Sequence, residues 1–207
     1  MTQPDLQLAN DPALHVVALV GDYGSGKTEV AVNLSLWLKQ HHNERAIAIA
    51  DLDLVNPYFR SREAAAPLEQ AGVEVVMPRG GQQYADLPIL LPRIKGLIRD
   101  DSTLAVLDVG GDEAGSRVLA GLAGSFAPER HQLWFVVNTN RPFNDTPGGC
   151  LRTIGRIEAA TGLRVTGLVG NTHLMDETSP EMVREGVRVA EAVAAELDVP
   201  QIGRAHV

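Results

Sequence analysis

The stretch Gly21-Asp22-Tyr23-Gly24-Ser25-Gly26-Lys27-Thr28 governs the interpretation of the whole chain. It spells G-x-x-x-x-G-K-T, a loop suited to wrapping phosphate groups. Its setting carries as much weight as its letters. The apolar run His15-Val16-Val17-Ala18-Leu19-Val20 leads into it, and a segment of helical period opens at Lys27. Backbone that closes around phosphate oxygens needs glycine where φ turns positive or the ligand comes close. The loop's N–H groups, and the positive end of the helix behind them, favour an anion. Lys27 is placed to reach the β and γ oxygens, and the Thr28 hydroxyl to enter the shell of a Mg²⁺ ion. The expected ligand is ATP, in preference to GTP, with Mg²⁺. The residues expected to hold it are Gly21, Asp22, Tyr23, Gly24, Ser25, Gly26, Lys27, Thr28 and the adjoining Glu29.

On either side of this loop, short apolar runs alternate with longer segments of helical period. Strands are expected at Val16–Val20, Ala46–Asp51, Val73–Met77, Leu104–Val109, Leu133–Asn138 and Val165–Gly170. Helices are expected at Lys27–His41, Arg60–Ala71, Leu87–Asp100, Ala114–Ser125, Gly148–Thr161 and Pro180–Leu197. The strand runs are almost continuously apolar, as in strands covered on both faces. Alternating strand and helix implies right-handed crossovers and a mostly parallel central sheet in a three-layer α/β/α architecture. No repeat or linker divides residues 1–207, so a single nucleotide-binding domain is expected, with a flexible N-terminus over 1–12. Val199–Ile202 reads as the start of one more strand. Ile202–Val207 (Ile-Gly-Arg-Ala-His-Val) also reads as a translated sequencing adapter, so 202–207 is expected to be a non-native tail on a chain truncated near Gln201.

Two acidic motifs follow strands. Leu104-Ala105-Val106-Leu107-Asp108 ends four apolar residues on a carboxylate, the expected second partner of Mg²⁺. Asp108-Val109-Gly110-Gly111 then gives D-x-x-G, in which the Gly111 N–H is placed to sense a γ-phosphate. Asp112 stands just before a helical run and reads as that helix's cap. The second motif is Asp51-Leu52-Asp53, directly after the Ala46–Ala50 run. On an extended chain, an i, i+2 pair puts both carboxylates on one face. Asp53 is expected to position the attacking water and Asp51 to serve the metal's outer shell, although carboxylates also cap turns after strands.

Composition narrows the function classes. The formal charge of −8 speaks against a nucleic-acid partner, which needs clustered Lys and Arg. Apolar residues make up 44% and charged residues 21%, the balance of a chain that folds around a core. With aromatics at 4%, that core is aliphatic; Trp37, at helical spacing with Leu34 and Leu38, is expected inside it. Cys150 is the single cysteine, so no disulfide forms within the chain, and the histidines lack metal-ligand spacing. Met1–Asp11 has no export pattern, and no apolar run reaches the ~18–20 residues that span a bilayer. A cytoplasmic setting is expected.

Taken together, GDYGSGKT at Gly21–Thr28, DLDLVNP at Asp51–Pro57 and LAVLDVGG at Leu104–Gly111 resemble the MinD/ParA-like family of P-loop ATPases, which includes the nucleotide-binding domain of cobyrinic acid a,c-diamide synthases. The likeness covers nearly the whole chain. It implies that the D-x-D motif carries the hydrolytic switch, with Lys27 and Asp53 catalytic. It also implies that an asparagine after a late strand reads adenine; Asn171 matches by position, and Asn138 is the rival. Neither lies in an N-K-x-D guanine motif. The family's signature lysine, at the second position of the loop, is replaced by Asp22, which bears on the nucleotide-dependent homodimer the resemblance implies. Arg60 and Arg62 are candidates to restore the charge. The expected function is a slow, Mg²⁺-dependent ATPase switching a protein partner. The alternative is an ATP-dependent ligase or kinase that activates a small carboxylate, with Arg79 and Arg141 as its basic groups. A GTP-dependent metal-insertion chaperone is disfavoured by the missing guanine motif and the lack of a Cys/His cluster.

Overall fold

Apolar side chains along each strand alternate between two layers, and this alternation organises the molecule. The computed structural model describes residues 11, 13–42, 44–53, 60–77 and 83–204. Its strands are β1 (Val16–Val20), β2 (Ala46–Asp51), β3 (Glu74–Val76), β4 (Thr103–Asp108), β5 (His131–Val137), β6 (Gly167–Gly170) and β7 (Gln201–Arg204). All are parallel, in the order β3-β2-β4-β1-β5-β6-β7. The helices are α1 (Lys27–His41), α2 (Arg60–Gln70), α3 (Gln83–Arg99), α4 (Glu113–Ala123), α5 (Pro147–Thr161) and α6 (Pro180–Leu197).

Val17 and Leu19 of β1, Leu104 and Val106 of β4, and Trp134 and Val136 of β5 pack toward α1 and α2. Val16, Ala18, Ala105, Leu107, Leu133 and Phe135 pack toward α3, α4, α5 and α6. The result is the expected three-layer α/β/α arrangement. A strand covered on both faces has no wet side to display, which is why these runs carry no polar alternation.

All the expected elements form; α1, α6, β1 and β2 keep their expected limits and the others have shifted ends. The third strand is shorter than the Val73–Met77 run, and α3 begins at Gln83 rather than Leu87. β6 begins at Gly167 because the Val165 N–H is taken by the Glu158 carboxylate at 2.9 Å. Ser179 caps α6 by accepting from the Met182 N–H, with Pro180 at the first helical position. Trp37 is only partly buried; its ring stacks on His41 at 4.2 Å between centroids instead of entering the core beside Leu34 and Leu38. The expected extra strand is β7, whose Ile202 is buried. Met1–Asn10, Pro78-Arg79-Gly80-Gly81 and residues 205–207 lie outside the described part, as do the side chains of Arg60 and Arg62.

Leu107, fully buried in β4, tests the packing. Leu107→Ala should destabilise the fold by about 2–5 kcal/mol. The expected result is a lower denaturant midpoint with an unchanged slope.

Candidate functional site

The alternation that builds the core also aims the chemistry. Ile47 and Ile49 of β2, and Leu104 and Val106 of β4, face α1. Two residues further along, Asp51 and Asp108 therefore face α1 as well. The two are register partners across β2 and β4, and Asp108 is also level with Leu19 at the end of β1. Parallel pairing thus brings two carboxylates side by side beneath the first turn of α1. There the Thr28 hydroxyl donates to Asp108 Oδ2. The neighbouring Lys27 ammonium, also buried, donates to the Asp22 backbone carbonyl at 3.0 Å.

Burial shifts both charged groups toward neutrality. Asp108 is pushed up to about 7, first by desolvation and then by the Asp51 charge; the Thr28 hydrogen bond and Lys27 oppose the rise. Lys27 is held below its ordinary value by burial, with Asp108 and then Asp53 acting the other way. A site in this state is short of positive charge.

The loop between β1 and α1 follows the expected geometry. Gly21, Gly24 and Gly26 have positive φ, and Gly26 starts α1 with no side-chain cap, so the first N–H groups of the helix keep their capacity for an anion. The Ser25 hydroxyl is buried without a hydrogen-bond partner among the described residues. A cavity of about 380 Å³ opens over the loop. Of the sequence-expected residues it is lined by Tyr23, Gly24, Gly26, Lys27, Thr28, Glu29, Asp53, Asp108 and Gly111. Gly111 sits so close that a Cβ there would lie 2.6 Å from the Tyr23 nitrogen and 2.8 Å from Lys27 Nζ. The D-x-x-G turn therefore rests directly on the Gly21–Thr28 loop.

Other expected residues are placed differently. Asp51 does not line the cavity; its Oδ1 accepts the Asp53 N–H at 2.9 Å, so the strand ends in a turn and only Asp53 reaches the opening. Asn171 leans over the loop and donates to the Ser25 carbonyl at 2.9 Å. Asn138 is buried, spanning the His173 carbonyl and the Asn140 N–H, so its amide works inside the protein. Asp112 caps α4, accepting from the Gly115 N–H at 2.8 Å.

Asp22 departs most from expectation. Expected among the residues holding the nucleotide, it does not line the cavity. Oδ2 accepts from the Asn144 amide at 2.6 Å and from the Thr153 hydroxyl at 3.3 Å, tying the phosphate loop to the turn after β5 and to α5.

Several lining residues did not stand out in the sequence as parts of a nucleotide site. Arg141, expected either as a basic group for a carboxylate substrate or, within Asn140-Arg141-Pro142-Phe143, as packing against a base, donates to the Gly24 carbonyl at 2.8 Å and adds a cation to the cavity wall. His173, Leu174, Met175 and Glu177 form the wall opposite. The only sequence signal for that wall was its place directly after Asn171.

The donor set suits Mg²⁺, a hard ion that takes one or two protein oxygens and fills its shell with phosphate and water. Thr28 and Asp108 already bond each other through the atoms a shared ion needs. No group of three or more His, Cys, Asp or Glu among the described residues could hold a metal unaided.

No family model matches the chain. No curated protein matches it either. Solved structures do. The cell division protein FtsY of Thermotoga maritima aligns with TM-score 0.59 at 15% identity, over 91% of this chain and 60% of that one. The signal recognition particle receptor FtsY of Elizabethkingia anophelis aligns with TM-score 0.55 at 18% identity, over 97% and 64%. The signal recognition particle 54 kDa protein of Aeropyrum pernix K1, solved in complex with GDP, aligns with TM-score 0.56 at 18% identity, over 92% and 43%. The chain thus spans less than two thirds of the length of these proteins, and at such identities the likeness is one of fold. That fold is the three-layer P-loop architecture. Among the described residues, no helix is long and apolar enough to cross a membrane.

The Asp108 shift carries a pH signature. In the folded chain the proton is held to about 7, against an ordinary value of 3.8. Its contribution to stability is therefore complete at low pH and is lost as pH rises toward 7. Without Mg²⁺, denaturant unfolding should show this loss between about pH 4 and about pH 7, and Asp108→Asn should flatten it.

Proposed function

We propose that the chain is a Mg²⁺-dependent ATP-binding protein and slow ATPase of the MinD/ParA-like kind, whose nucleotide state is read by a protein partner in the cytoplasm. The observation that carries this reading is convergence. Lys27, Thr28, Asp53, Asp108 and Gly111, drawn from three separate loops, line one cavity over a loop rich in positive-φ glycine. In this reading Lys27 and the loop amides hold the β and γ phosphates, and Thr28 and Asp108 hold Mg²⁺, with Asp51 behind them. Bound Mg²⁺ supplies charge neutralisation for phosphoryl transfer. Asp53, half-buried at the cavity, orients the attacking water. Asn171, bonded to the Ser25 carbonyl, is assigned to the base in this reading. Gly111 reports loss of the γ-phosphate, because its backbone already touches the loop. A nucleotide-dependent homodimer belongs to the same reading.

The ligase alternative is weakened because Arg141 is engaged with the Gly24 carbonyl. A guanine nucleotide is the second reading. It is favoured by the Glu177 carboxylate on the wall of the cavity and by the GDP bound to the solved 54 kDa protein.

Binding and turnover of ATP and GTP, each with Mg²⁺, test the proposal. Lys27→Ala should lower nucleotide affinity at least tenfold with the fold intact by circular dichroism. Asp53→Asn should lower turnover about 100-fold or more while leaving affinity within a few-fold. Unchanged affinity in Lys27→Ala would overturn the assignment.

A further inference from the structure

Beside the nucleotide cavity, on the outer face of α5, lies a groove of about 590 Å³ lined by Phe143, Gly149, Arg152, Thr153, Arg156 and Ala159. Phe143 stands at its edge in an unusual way. The Asn144 N–H donates to the Arg141 carbonyl at 3.2 Å, closing a turn with Pro142 second and Phe143 third. Phe143 has φ 70, the left-handed value that such a turn reserves for glycine. Its ring is nonetheless 73% exposed, so no burial offsets the strain. The backbone beneath it is fixed. A Cβ on Gly149 would collide with the Phe143 carbonyl oxygen, and Asn144 is bonded to Asp22 and accepts from Cys150 Sγ. A strained, rigidly presented and solvated aromatic ring points to a partner.

The charge beside it indicates what kind. Arg93, Arg117, Arg130, Arg164, Arg184 and Arg188 each face a carboxylate. Arg152 and Arg156, exposed one turn apart on α5, have no carboxylate partner among the described residues. In a chain of net charge −8, two such arginines flanking an apolar groove form an isolated basic spot. The groove is concave, which suits a peptide segment better than a flat anionic membrane.

This spot is also wired to the phosphate loop. Arg156 Nη2 donates to Thr153 Oγ1 at 3.1 Å, and Thr153 Oγ1 donates to Asp22 Oδ2 at 3.3 Å. We propose that the Phe143–Arg152–Arg156 groove docks an acidic segment of a protein partner, with an apolar side chain against Phe143 and carboxylates on the two arginines. The Arg156–Thr153–Asp22 relay couples that docking to the nucleotide. Drawing Arg156 toward a partner carboxylate removes a donor from Thr153, which alters the hold on Asp22 and so on the loop. The coupling rests on the nucleotide-switch reading above; the docking does not.

A displayed library of random peptides, selected on the full chain and counter-selected on Phe143→Ser and on Arg152→Glu/Arg156→Glu, tests the docking. Enriched peptides should carry Asp or Glu around an apolar anchor, and should lose affinity about tenfold or more for either counter-selected variant. Nucleotide affinity should be unchanged in Phe143→Ser. Fluorescence polarisation of an enriched peptide then tests the relay. Its affinity should differ severalfold between the nucleotide-free and Mg²⁺-nucleotide states of the wild type. In Thr153→Val that difference should vanish while binding persists.

Basic or uncharged peptides, no enrichment, or binding indifferent to both arginines would sink the docking claim even if nucleotide binds normally. The claim falls equally if the groove instead drives self-association by sedimentation, or takes up anionic vesicles, in a way that Phe143→Ser abolishes. Peptide affinity that ignores a nucleotide known to bind overturns the relay. A chain that binds no nucleotide overturns the switch reading and, with it, the coupling.

Discussion

Asp51 and Asp108 end neighbouring parallel strands at the same level, so their carboxylates are held together where little water reaches them. Two like charges in such a place are tolerated only with cations or protons to balance them. Lys27 supplies one ammonium beside them, itself stripped of solvent, and Asp108 keeps its proton to about 7. A further cation placed beside the carboxylates would be stabilised there. A divalent ion with a polyphosphate answers both needs at once: the ion balances the carboxylates, and the phosphates occupy the amides of the loop. Such a pair is expected to become more favourable when a cation joins it.

Everything else at the sheet edge serves to keep this arrangement in place. α1 starts at the loop and brings Thr28 onto Asp108. The D-x-x-G turn lies on the loop through Gly111, whose missing side chain is what allows the contact. On the other flank, Arg141 grips the Gly24 carbonyl, while Asn144 and Thr153 grip Asp22. The loop is thus anchored to the β5–α5 segment by both a cation and a carboxylate. Asp22 thus acts as an internal latch that ties the loop to the chain's own α5.

Much of this was legible in the letters. The eight residues Gly21–Thr28, preceded by an apolar run and followed by a helical one, placed the loop correctly; α1 and α6 have the expected limits, as do β1 and β2. Asp53 and Asp108, singled out because each follows an apolar run, both line the cavity. Asp112 was recognisable as a cap because a helix needs one at that position. What failed to show was orientation. Asp51 and Asp53 look equivalent as an i, i+2 pair, yet the strand ends at Asp51, whose oxygen is consumed by the turn. Trp37 has core spacing, yet it sits at the edge of the α1 stripe, where stacking on His41 is available.

Local chemistry was written in the amino-acid order: where backbone turns left-handed, where strands begin and end, and which residues bring charge or hydroxyl groups to the ends of those strands. These follow from propensity and period, which act over a few residues. Which of those ends meet was settled by the folded sheet, because the strand order β3-β2-β4-β1-β5-β6-β7 places residues far apart in the chain side by side. The same closure set the direction of Asp22, whose partners lie 122 and 131 positions away. No short-range pattern encodes a hydrogen bond of that reach; it exists because the whole sheet has closed around it.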